Sequence, residues 1–372
     1  MAKLGDIATY INGYAFKPQD WSDEGIPIIR IQDLTGNSYQ ANRYNGEYAS
    51  KYEVNDGDVL ISWSASLGIY IWHGEKAVLN QHIFKVVFDK ERISKDFFVH
   101  QVGLILENAA SDAHGATMKH LTKPVFDALP FYLPPYERQC EIAEVLDKVC
   151  ELISLRKQQL AKLDKLVKAR FVEMFGDPVN NPMNYPKSQL GKVCDVRDGT
   201  HDSPKYYDVG YPLVTSKNVT GGKIDLSECN LISEDDYKKI CERSKVDRGD
   251  IIMPMIGTVG KPVIVNAEPM FAIKNVALIK FTPDSLVTNI YIKTLLESDY
   301  FDRAVLDKIR GGTQKFIALG DIRKLEIILP DLKHQQCFSA FVERVDKQKQ
   351  TVQQSLEKLE LMKKALMQEF FG

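Results

Sequence analysis

The sequence predicts an α+β fold, in which two mixed α/β domains are separated by two long helices that form an antiparallel coiled coil. Three observations lead to this prediction: a module is duplicated, each copy ends in a long helical pattern, and each copy begins with short apolar runs broken by glycine and asparagine. The copies keep a fixed register, because Gly311 follows Gly115 by 196 positions and Gly372 follows Gly176 by the same 196. The chain therefore has an internal pseudo-two-fold repeat.

Both long helical patterns carry an unbroken apolar row with a spacing of seven residues. A second row in the first helix is interrupted twice by arginine, at positions 156 and 170. A sustained seven-residue apolar repeat is typical of a coiled-coil seam. The unbroken rows are Leu146, Ile153, Leu160, Val167 and Met174 in the first helix, and Phe338, Val345, Val352, Leu359 and Leu366 in the second.

Simple geometry favours an antiparallel pair. The span from Glu137 to Gly176 would be about 60 Å long as a straight helix. In a parallel pair, the intervening domain would have to return the chain across that length, although a domain of ~150 residues is only ~40 Å across. Acidic residues at the start of the first helix are also expected near Lys358, Lys363 and Lys364 of the second. The alternative is two ordinary packed helices.

The repeat divides the chain into four predicted segments. Each mixed α/β segment opens on Leu-Gly, continues with Gly-x-Pro, and enters a later strand through Gly-Asp. A helical stretch closes each of them, over 96–110 and 289–309. The predicted segments are a first domain at 1–132, a first helix at 133–176, a second domain at 177–328 and a second helix at 329–372.

Composition limits the class of protein. The 372 residues carry a net charge of −2, which counts against a stand-alone nucleic-acid binder, since such proteins are usually basic. Six scattered cysteines without a C-x-x-C pair argue against a zinc ribbon and favour free thiols in a reducing cytoplasm. No segment has the apolar length of a membrane span, and the start lacks the hydrophobic region of a signal peptide. We therefore expect a cytoplasmic protein without a membrane partner.

Several short motifs, repeated in one order, resemble the specificity subunit of type I restriction–modification systems. The resemblance covers essentially the whole chain. Each motif alone is weak, but their repeated order is specific. The motifs are L-P-P-Y-E-R-Q-C-E-I-A-E-V-L-D at 133–147, its copy L-P-D-L-K-H-Q-Q at 329–336, D-G-T-H-D-S-P-K-Y at 198–206, G-A-T-M-K at 115–119 and G-G-T-Q-K at 311–315.

The resemblance implies a DNA-recognition subunit without catalytic activity of its own. In that family, each β-rich domain is a target recognition domain that reads half of a split, asymmetric sequence in double-stranded DNA. The helices act as a spacer and dock two modification (methyltransferase) subunits, which methylate adenine in each half-site. A restriction (motor-nuclease) subunit can add to that complex. The subunit itself needs no cofactor and no metal.

Two basic glycine-threonine loops are candidate DNA contacts. Neither loop contains an acidic residue, and they occupy homologous positions in the two copies. Glycine lets backbone amides approach phosphate, while lysine and threonine add donors. The alternative is a solvated loop whose glycines only serve a turn. The candidates are His114, Thr117, Lys119 and His120 in the first loop, and Arg310, Thr313, Gln314 and Lys315 in the second.

Reading of bases requires amide or guanidinium groups that face the major groove. For any one candidate, surface solvation or a hydrogen bond within a turn is an equally good interpretation, and His201 could be a structural histidine. The candidates are Arg30, Gln32, Arg43, Asn80, Gln81 and His82 in the first domain, and Arg197, Thr200, His201, Lys217, Asn218, Lys274 and Asn275 in the second.

Two other functions are weighed against DNA recognition. A stand-alone DNA methyltransferase or nuclease with degenerate motifs is the first, and a coiled-coil scaffold without a nucleic-acid role is the second. The Pro134-Pro135-Tyr136 sequence is similar to an amino-methyltransferase motif, but Leu133 replaces its polar residue and no glycine-rich S-adenosylmethionine loop is present. The 257–261 sequence is similar to a P-loop, but its glycine spacing is too short.

Overall fold

The structure is a computed structural model that describes residues 1–37, 42–112, 121–257, 259–305 and 316–372. The chain divides into two compact units. Unit 1 consists of Met1–Lys157 together with Gln354–Gly372, and unit 2 consists of Gln158–Gln353.

Unit 1 is built mainly of short strands. The strands are β1 (Ala2–Lys3), β2 (Thr9–Asn12), β3 (Ile26–Ile29), β4 (Arg43–Tyr44), β5 (Glu53–Val54), β6 (Val59–Ser62), β7 (Gly68–Ile71), β8 (Ala77–Leu79), β9 (Ile83–Val87) and β10 (Pro130–Phe131). The helices are α1 (Leu4–Ile7), α2 (Ile31–Leu34), α3 (Lys95–Asp112), α4 (Lys123–Asp127) and the first part of α5 (Tyr136–Phe175).

Among the described residues, the strands of unit 1 form two four-stranded sheets and one short pair. The first sheet has the order β2-β9-β6-β7 and is antiparallel throughout. The second has the order β4-β3-β8-β5, and its central β3 and β8 are parallel. Because every residue of β6 and of β8 is buried, both sheets contribute to the interior. The turn between β8 and β9 joins the two sheets.

Unit 2 repeats this plan with different lengths. Its strands are β11 (Lys187–Gln189), β12 (Asp195–Asp198), β13 (Tyr211–Val214), β14 (Val219–Thr220), β15 (Lys223–Ile224), β16 (Asn230–Ile232), β17 (Ile251–Pro254), β18 (Val263–Ile264), β19 (Ala272–Ile273), β20 (Val276–Lys280) and β21 (Glu326–Ile328). Its helices are α6 (Leu190–Val193), α7 (Glu234–Ser244), α8 (Asn289–Leu296), α9 (Asp299–Ala304), α10 (Leu319–Lys324) and the first part of α11 (Leu332–Phe371).

The sheets of unit 2 match those of unit 1. An antiparallel sheet has the order β12-β20-β17-β18, and a second sheet has the order β16-β13-β19 with β13 and β19 parallel. Between β16 and β17, unit 2 adds the helix α7. The fold class predicted from the sequence is confirmed.

The closing helical stretch of unit 2 differs from the prediction. A single helix was expected over 289–309, but α8 ends at Leu296 and α9 begins at Asp299. Ser298 occupies the N-cap position of α9, but its hydroxyl donates to the carbonyl of Leu295 at 2.6 Å and does not cap α9. A serine hydroxyl that bonds locally to the backbone competes with continuation of a helix, and the helical stretch is interrupted here.

In unit 1, the beginning of α5 packs antiparallel against the end of α11. The guanidinium of Arg138 lies 5.6 Å from the ring centroid of Phe370, whereas Arg156 Nε donates to Ser355 Oγ at 3.2 Å. Later positions in α5 therefore meet earlier positions in α11. Arg156 interrupts the apolar row because it serves as a hydrogen-bond donor across the seam.

In unit 2, the remaining parts of α5 and α11 are also antiparallel. Lys349 Nζ pairs with Asp164 at 2.6 Å, while the Phe171 and Phe338 rings lie 5.6 Å apart. The predicted antiparallel pairing is confirmed within each unit. Three of the acidic residues at the start of α5 form ion pairs within unit 1: Glu141 with Arg138, Glu144 with Lys148, and Asp147 with His100 of α3.

The glutamine of each Leu-Pro motif ties a long helix to the domain that precedes it. Gln139 is 1% exposed, and its amide donates to the Pro134 carbonyl at 2.8 Å and accepts from the Ser94 N–H at 2.9 Å. Gln335, 0% exposed, donates to the Pro330 carbonyl at 2.8 Å, and it accepts from the N–H of the residue that caps α8. Both glutamines therefore satisfy buried backbone groups.

A Gly-Asp turn in each unit holds an aspartate carboxylate against a lysine of the four-stranded antiparallel sheet. Lys85 Nζ lies 2.9 Å from Asp58, and Lys280 Nζ lies 2.6 Å from Asp250. Asp250 is 2% exposed. A buried carboxylate needs such a partner, because an unpaired buried charge is strongly destabilising.

Replacement of Gln335 by leucine should destabilise unit 2. The Gln335→Leu variant leaves the Thr288 N–H and the Pro330 carbonyl without their partner, so the free energy of unfolding should fall by roughly 2–4 kcal/mol. Urea unfolding followed by circular dichroism measures this change. Gln336→Leu, at the exposed neighbouring position, is the matched control and should shift stability by less than about 0.5 kcal/mol. Equal effects of the two variants would contradict the assigned role.

Candidate nucleic-acid interface

Three segments that are distant in sequence meet in unit 1. The Tyr14 N–H donates to the Leu79 carbonyl at 2.8 Å, and the Gln81 N–H donates back to the Tyr14 carbonyl at 2.8 Å. The Asn80 N–H donates to the Ile29 carbonyl at the end of β3, at 3.1 Å. Residues after β2, after β3 and after β8 therefore form one cluster. We define the unit 1 turn cluster as residues 13–14, 30–34 and 80–82.

Unit 2 forms the same cluster with the same backbone hydrogen bonds. The Thr200 N–H donates to the Ile273 carbonyl at 3.0 Å, and the Asn275 N–H donates to the Thr200 carbonyl at 3.3 Å. The Lys274 N–H donates to the Val214 carbonyl at the end of β13, at 2.9 Å. We define the unit 2 turn cluster as residues 199–201, 215–218 and 274–275. Backbone pairing thus fixes which positions of the two clusters are equivalent.

A glycine allows the closest approach in each cluster. A Cβ atom on Gly13 would lie 2.0 Å from the Asn80 carbonyl oxygen, and one on Gly199 would lie 2.3 Å from the Ile273 carbonyl oxygen. Both distances are far below van der Waals contact, and the obstructing atoms belong to backbone. A larger residue would therefore separate the first strand from the turn before β9 or β20.

The turn after β3 or β13 is closed by a side-chain cap. Asp33 Oδ2 accepts from the Arg30 N–H at 2.8 Å, and Asn218 Oδ1 accepts from the Thr215 N–H at 2.9 Å. Asn218 is 7% exposed. Its amide oxygen therefore has a structural role, and the preceding Lys217 is the exposed member of this turn.

Aromatic rings support the unit 1 turn cluster. The Trp63 ring centroid lies 4.9 Å from that of His82, and Trp63 Nε1 donates to Asn12 Oδ1 at 3.2 Å. His82 has a positive φ of 72°, which is uncommon for a residue other than glycine. The Leu121 N–H donates to the Trp63 carbonyl at 3.1 Å, so the chain after residue 120 lies beside this support.

A polar network supports the unit 2 turn cluster. His201 Nδ1 lies 2.8 Å from Asn275 Oδ1, and His201 Nε2 lies 2.7 Å from Asp198 Oδ2. The other oxygen of Asp198 accepts from Arg243 on α7. Because both ring nitrogens face oxygen acceptors, the Asn275 bond first and the Asp198 bond second raise the pKa of His201 above its ordinary value. His201 is thus a structural histidine that also favours a positive charge.

Two of the predicted arginines form hydrogen bonds with neighbouring groups of their own unit. Arg43 donates to the Gly25 carbonyl at 2.6 Å and to Glu75 at 2.7 Å. Arg197 donates to the Asp195 carboxylate at 2.8 Å and to a backbone carbonyl on α7 at 2.8 Å. Neither guanidinium belongs to a turn cluster as defined above.

The structure brings together ten of the predicted base-reading residues in the two turn clusters, whereas the loop candidates lie outside the described residues. Asn218 is not counted, because its side chain caps a turn. The Arg30 guanidinium lies 5.1 Å from the centroid of the Trp21 ring. The residues in the clusters are Arg30, Gln32, Asn80, Gln81, His82, Thr200, His201, Lys217, Lys274 and Asn275. The loop candidates outside the described residues are His114, Thr117, Lys119, His120, Arg310, Thr313, Gln314 and Lys315.

Sequence reasoning missed Tyr14. This side chain is 46% exposed, and its ring lies 4.9 Å from that of Phe16 and 5.6 Å from that of Tyr52. It is equivalent to Thr200, which the sequence motif did suggest. The available signal was glycine spacing, because Gly13 and Gly199 each follow the glycine of the Leu-Gly motif by eight residues.

The turn clusters are suited to hydrogen bonding with base edges. Their side chains include amides, hydroxyls, ammonium groups and a guanidinium, which are among the groups that can hydrogen-bond to base edges in the major groove. Among the described residues, no group of three or more His, Cys, Asp and Glu side chains is arranged to hold a metal ion. Within the same part of the chain, no helix is both long and apolar enough to cross a membrane.

Comparison with known proteins identifies the family. The model of the "Type I restriction modification DNA specificity domain" matches residues 1–165 and again residues 182–361. The two matches cover most of the chain and correspond to the two copies of the repeat. The chain therefore belongs to the type I restriction modification DNA specificity family. Membership confirms the resemblance seen in the sequence motifs and supports a non-catalytic recognition subunit over a stand-alone methyltransferase or nuclease.

The curated relatives are specificity subunits whose sequences have low identity to this chain but align with most of its length. The type I restriction enzyme EcoBI specificity subunit of Escherichia coli is 23% identical over 371 residues, which covers 89% of this chain and 76% of that protein. The MjaVIII specificity subunit of Methanocaldococcus jannaschii is 24% identical over 391 residues, covering 99% of this chain and 90% of that protein.

Solved structures show the same fold. The S subunit of a type I restriction-modification system from M. genitalium has a TM-score of 0.59 at 12% identity, and covers 100% of this chain and 95% of its own. A structure that describes complex assembly and conformational transition of the type I R-M system has a TM-score of 0.55 at 16% identity, with 100% and 96% coverage.

An alanine at Gly199 should disrupt the unit 2 turn cluster. Because its Cβ would meet the Ile273 carbonyl at 2.3 Å, the Gly199→Ala variant should weaken the Thr200 and Asn275 backbone hydrogen bonds. Amide hydrogen exchange of these two residues should accelerate at least tenfold. Gly320→Ala is the matched control, since a Cβ there meets no atom within 4 Å. Unchanged protection in Gly199→Ala would contradict the role assigned to the glycine.

The titration of His201 should depend on Asn275. Asn275→Gly removes the Oδ1 acceptor but tolerates the positive φ of 55°, so the pKa of His201 should fall. Since the pKa is raised in the folded state, this interaction stabilises fully below the pKa of the unfolded chain and is lost as pH rises through the folded-state pKa. Proton NMR of the His201 ring measures the shift. An identical titration curve in the variant would exclude the proposed cause.

Proposed function

We propose that this chain is the DNA-recognition subunit of a type I restriction–modification complex and binds a bipartite, asymmetric target in double-stranded DNA. The observation that carries the proposal is the turn cluster, which is built twice by equivalent backbone hydrogen bonds and carries different side chains in each copy. One scaffold with two sets of side chains suits recognition of two different half-sites. Segments 1–132 and 177–328 would be the two target recognition domains.

The basic glycine-threonine loops would add contacts to phosphate. The described residues that follow them support this placement in each unit, because the Leu121 N–H bonds to the Trp63 carbonyl and the Ile317 N–H bonds to the Met255 carbonyl at 2.9 Å. Each loop therefore rejoins the fold at the end of β6 or β17, in the sheet that also contributes to the turn cluster. Phosphate contacts position a protein on DNA, whereas base contacts select the sequence.

The long helices would dock the catalytic partners. We propose two modification (methyltransferase) subunits as the principal partners, with restriction (motor-nuclease) subunits added in a larger complex. The helices offer exposed apolar side chains outside their seam, among them Leu152 and Leu155 in unit 1. With free cysteines throughout and DNA as the target, we place the complex in the cytoplasm.

The near-neutral charge of the chain fits a subunit that binds DNA as part of a complex. A net charge of −2 provides no general attraction to a polyanion, so affinity must come from local donors and from partner subunits. A stand-alone methyltransferase would transfer methyl groups as a single purified chain. We expect none from this chain alone.

The proposal predicts a split methylation motif. The chain, produced with its cognate modification subunits in a host that lacks other DNA methyltransferases, should direct adenine methylation at two short sequences separated by a gap of unspecified bases. Single-molecule methylome sequencing identifies such a motif directly. A host with the modification subunits but without this chain is the control and should show no motif. One continuous motif, or methylation that does not require this chain, would refute the proposal.

A further inference from the structure

Two pairs of equivalent positions differ in chemistry between the turn clusters. Asn80 and Lys274 are equivalent for two reasons. Each donates its backbone N–H to the carbonyl of the last residue of the parallel strand, which is Ile29 in unit 1 and Val214 in unit 2. Each also forms a parallel β-bridge with the residue after the glycine, which is Tyr14 in unit 1 and Thr200 in unit 2. An amide in unit 1 therefore occupies the place of an ammonium group in unit 2.

The second pair is Gln32 and Lys217. Each residue immediately precedes the side chain that caps its turn, which is Asp33 in unit 1 and Asn218 in unit 2. Here too an amide in unit 1 corresponds to an ammonium group in unit 2. Both exchanges go in the same direction, so the two clusters present different sets of donors and acceptors.

Amides and ammonium groups select different bases. An asparagine or glutamine amide both accepts and donates, and this matches the N6 amino group and N7 of adenine. A lysine only donates, and this matches O6 and N7 of guanine, which are both acceptors. A donor-only group gains nothing from the N6 amino group of adenine.

The surroundings of Asn80 and Lys274 agree with this difference. Asn80 Oδ1 is buried and has no hydrogen-bond partner within the described residues. A buried acceptor of this kind normally has a donor. The N6 amino group of an adenine could be that donor if the amide turned toward the base. Lys274 Nζ is oriented by a bond of 2.6 Å to Ser203 Oγ, which leaves two of its three N–H groups for a ligand.

We propose that the unit 1 turn cluster reads an adenine through Asn80 and Gln32, and that the unit 2 turn cluster reads a guanine through Lys274 and Lys217. This inference rests on the proposed function, because it names the bases that the two recognition units select. One half-site of the bipartite target then contains an A·T pair whose identity depends on unit 1. The other half-site contains a G·C pair whose identity depends on unit 2.

Reciprocal substitutions test the assignment. Lys274→Asn and Asn80→Lys are each produced with the cognate modification subunits, and the methylated fraction of every motif variant is measured by single-molecule methylome sequencing. Lys274→Asn should lower the preference for guanine over adenine at one position of one half-site by roughly tenfold or more. Asn80→Lys should lower the preference for adenine at one position of the other half-site by a similar factor. The unaltered half-site is the internal control in each case.

Two further variants separate base reading from simpler roles. Lys274→Arg keeps a donor-only group and should retain guanine. Lys192→Met removes an exposed lysine from α6. Because α6 precedes β12 and Thr200 follows it, Lys192 lies at the opposite end of that strand from the turn cluster. This control variant should leave the methylation motif unchanged. Loss of methylation in Lys274→Asn that is uniform over all sequences, while Lys274→Arg is active, would assign Lys274 to phosphate contact or structure and overturn the inference.

Failure of the inference can be distinguished from failure of the proposed function. A bipartite wild-type motif that is unchanged by both reciprocal substitutions would overturn the base assignment and leave the recognition role intact. The absence of any bipartite motif with the unmodified chain would overturn the proposed function itself. A guanine-to-adenine shift in the half-site that depends on unit 1, rather than unit 2, would also contradict the assignment.

Discussion

The structure of both turn clusters depends on the close approach of one glycine to the backbone of a distant turn. At Gly13 and Gly199, a single added methyl group would collide with a main-chain carbonyl. This approach lets the residue after the glycine bridge to the turn before β9 or β20 and exchange backbone hydrogen bonds with it. Because the parallel strand also ends at this turn, backbone hydrogen bonds bring three segments together there.

A scaffold held by backbone hydrogen bonds separates stability from specificity. The side chains at the equivalent positions Asn80 and Lys274 can differ in size and charge, since the bonds that place them involve only N–H and carbonyl groups. Their supports differ as well: an aromatic contact between Trp63 and His82 in unit 1, and the Asp198–His201 hydrogen bond in unit 2. A different set of side chains can therefore be placed at these positions without a new fold.

The sequence predicted the long-range repeat well and the local geometry of the site less well. Heptad rows and Leu-Pro motifs are periodic or repeated signals, so the two helices and their pairing followed from them. The meeting of Ile29 with Asn80 depends on a parallel pairing of β3 with β8, and short strands carry no signal for such pairing. For the same reason, Asn218 was indistinguishable from a base-reading amide until its capping bond was visible. The break at Ser298 likewise involves a local side-chain hydrogen bond, which hydrophobic periodicity does not reveal.

The buried glutamines connect the recognition part of each unit to its helices. Gln139 and Gln335 each bind the residue that precedes the closing helix of their domain, so a domain and its long helix share one buried hydrogen-bond network. An exposed ion pair at this place would be weakened by salt and would allow the parts to move separately. A buried amide bonded to main chain has neither weakness, because its partners have no alternative donor or acceptor in the interior. Rigid attachment of this kind is what a partner docked on the helices would need in order to act at a fixed position relative to the bases that its own unit reads.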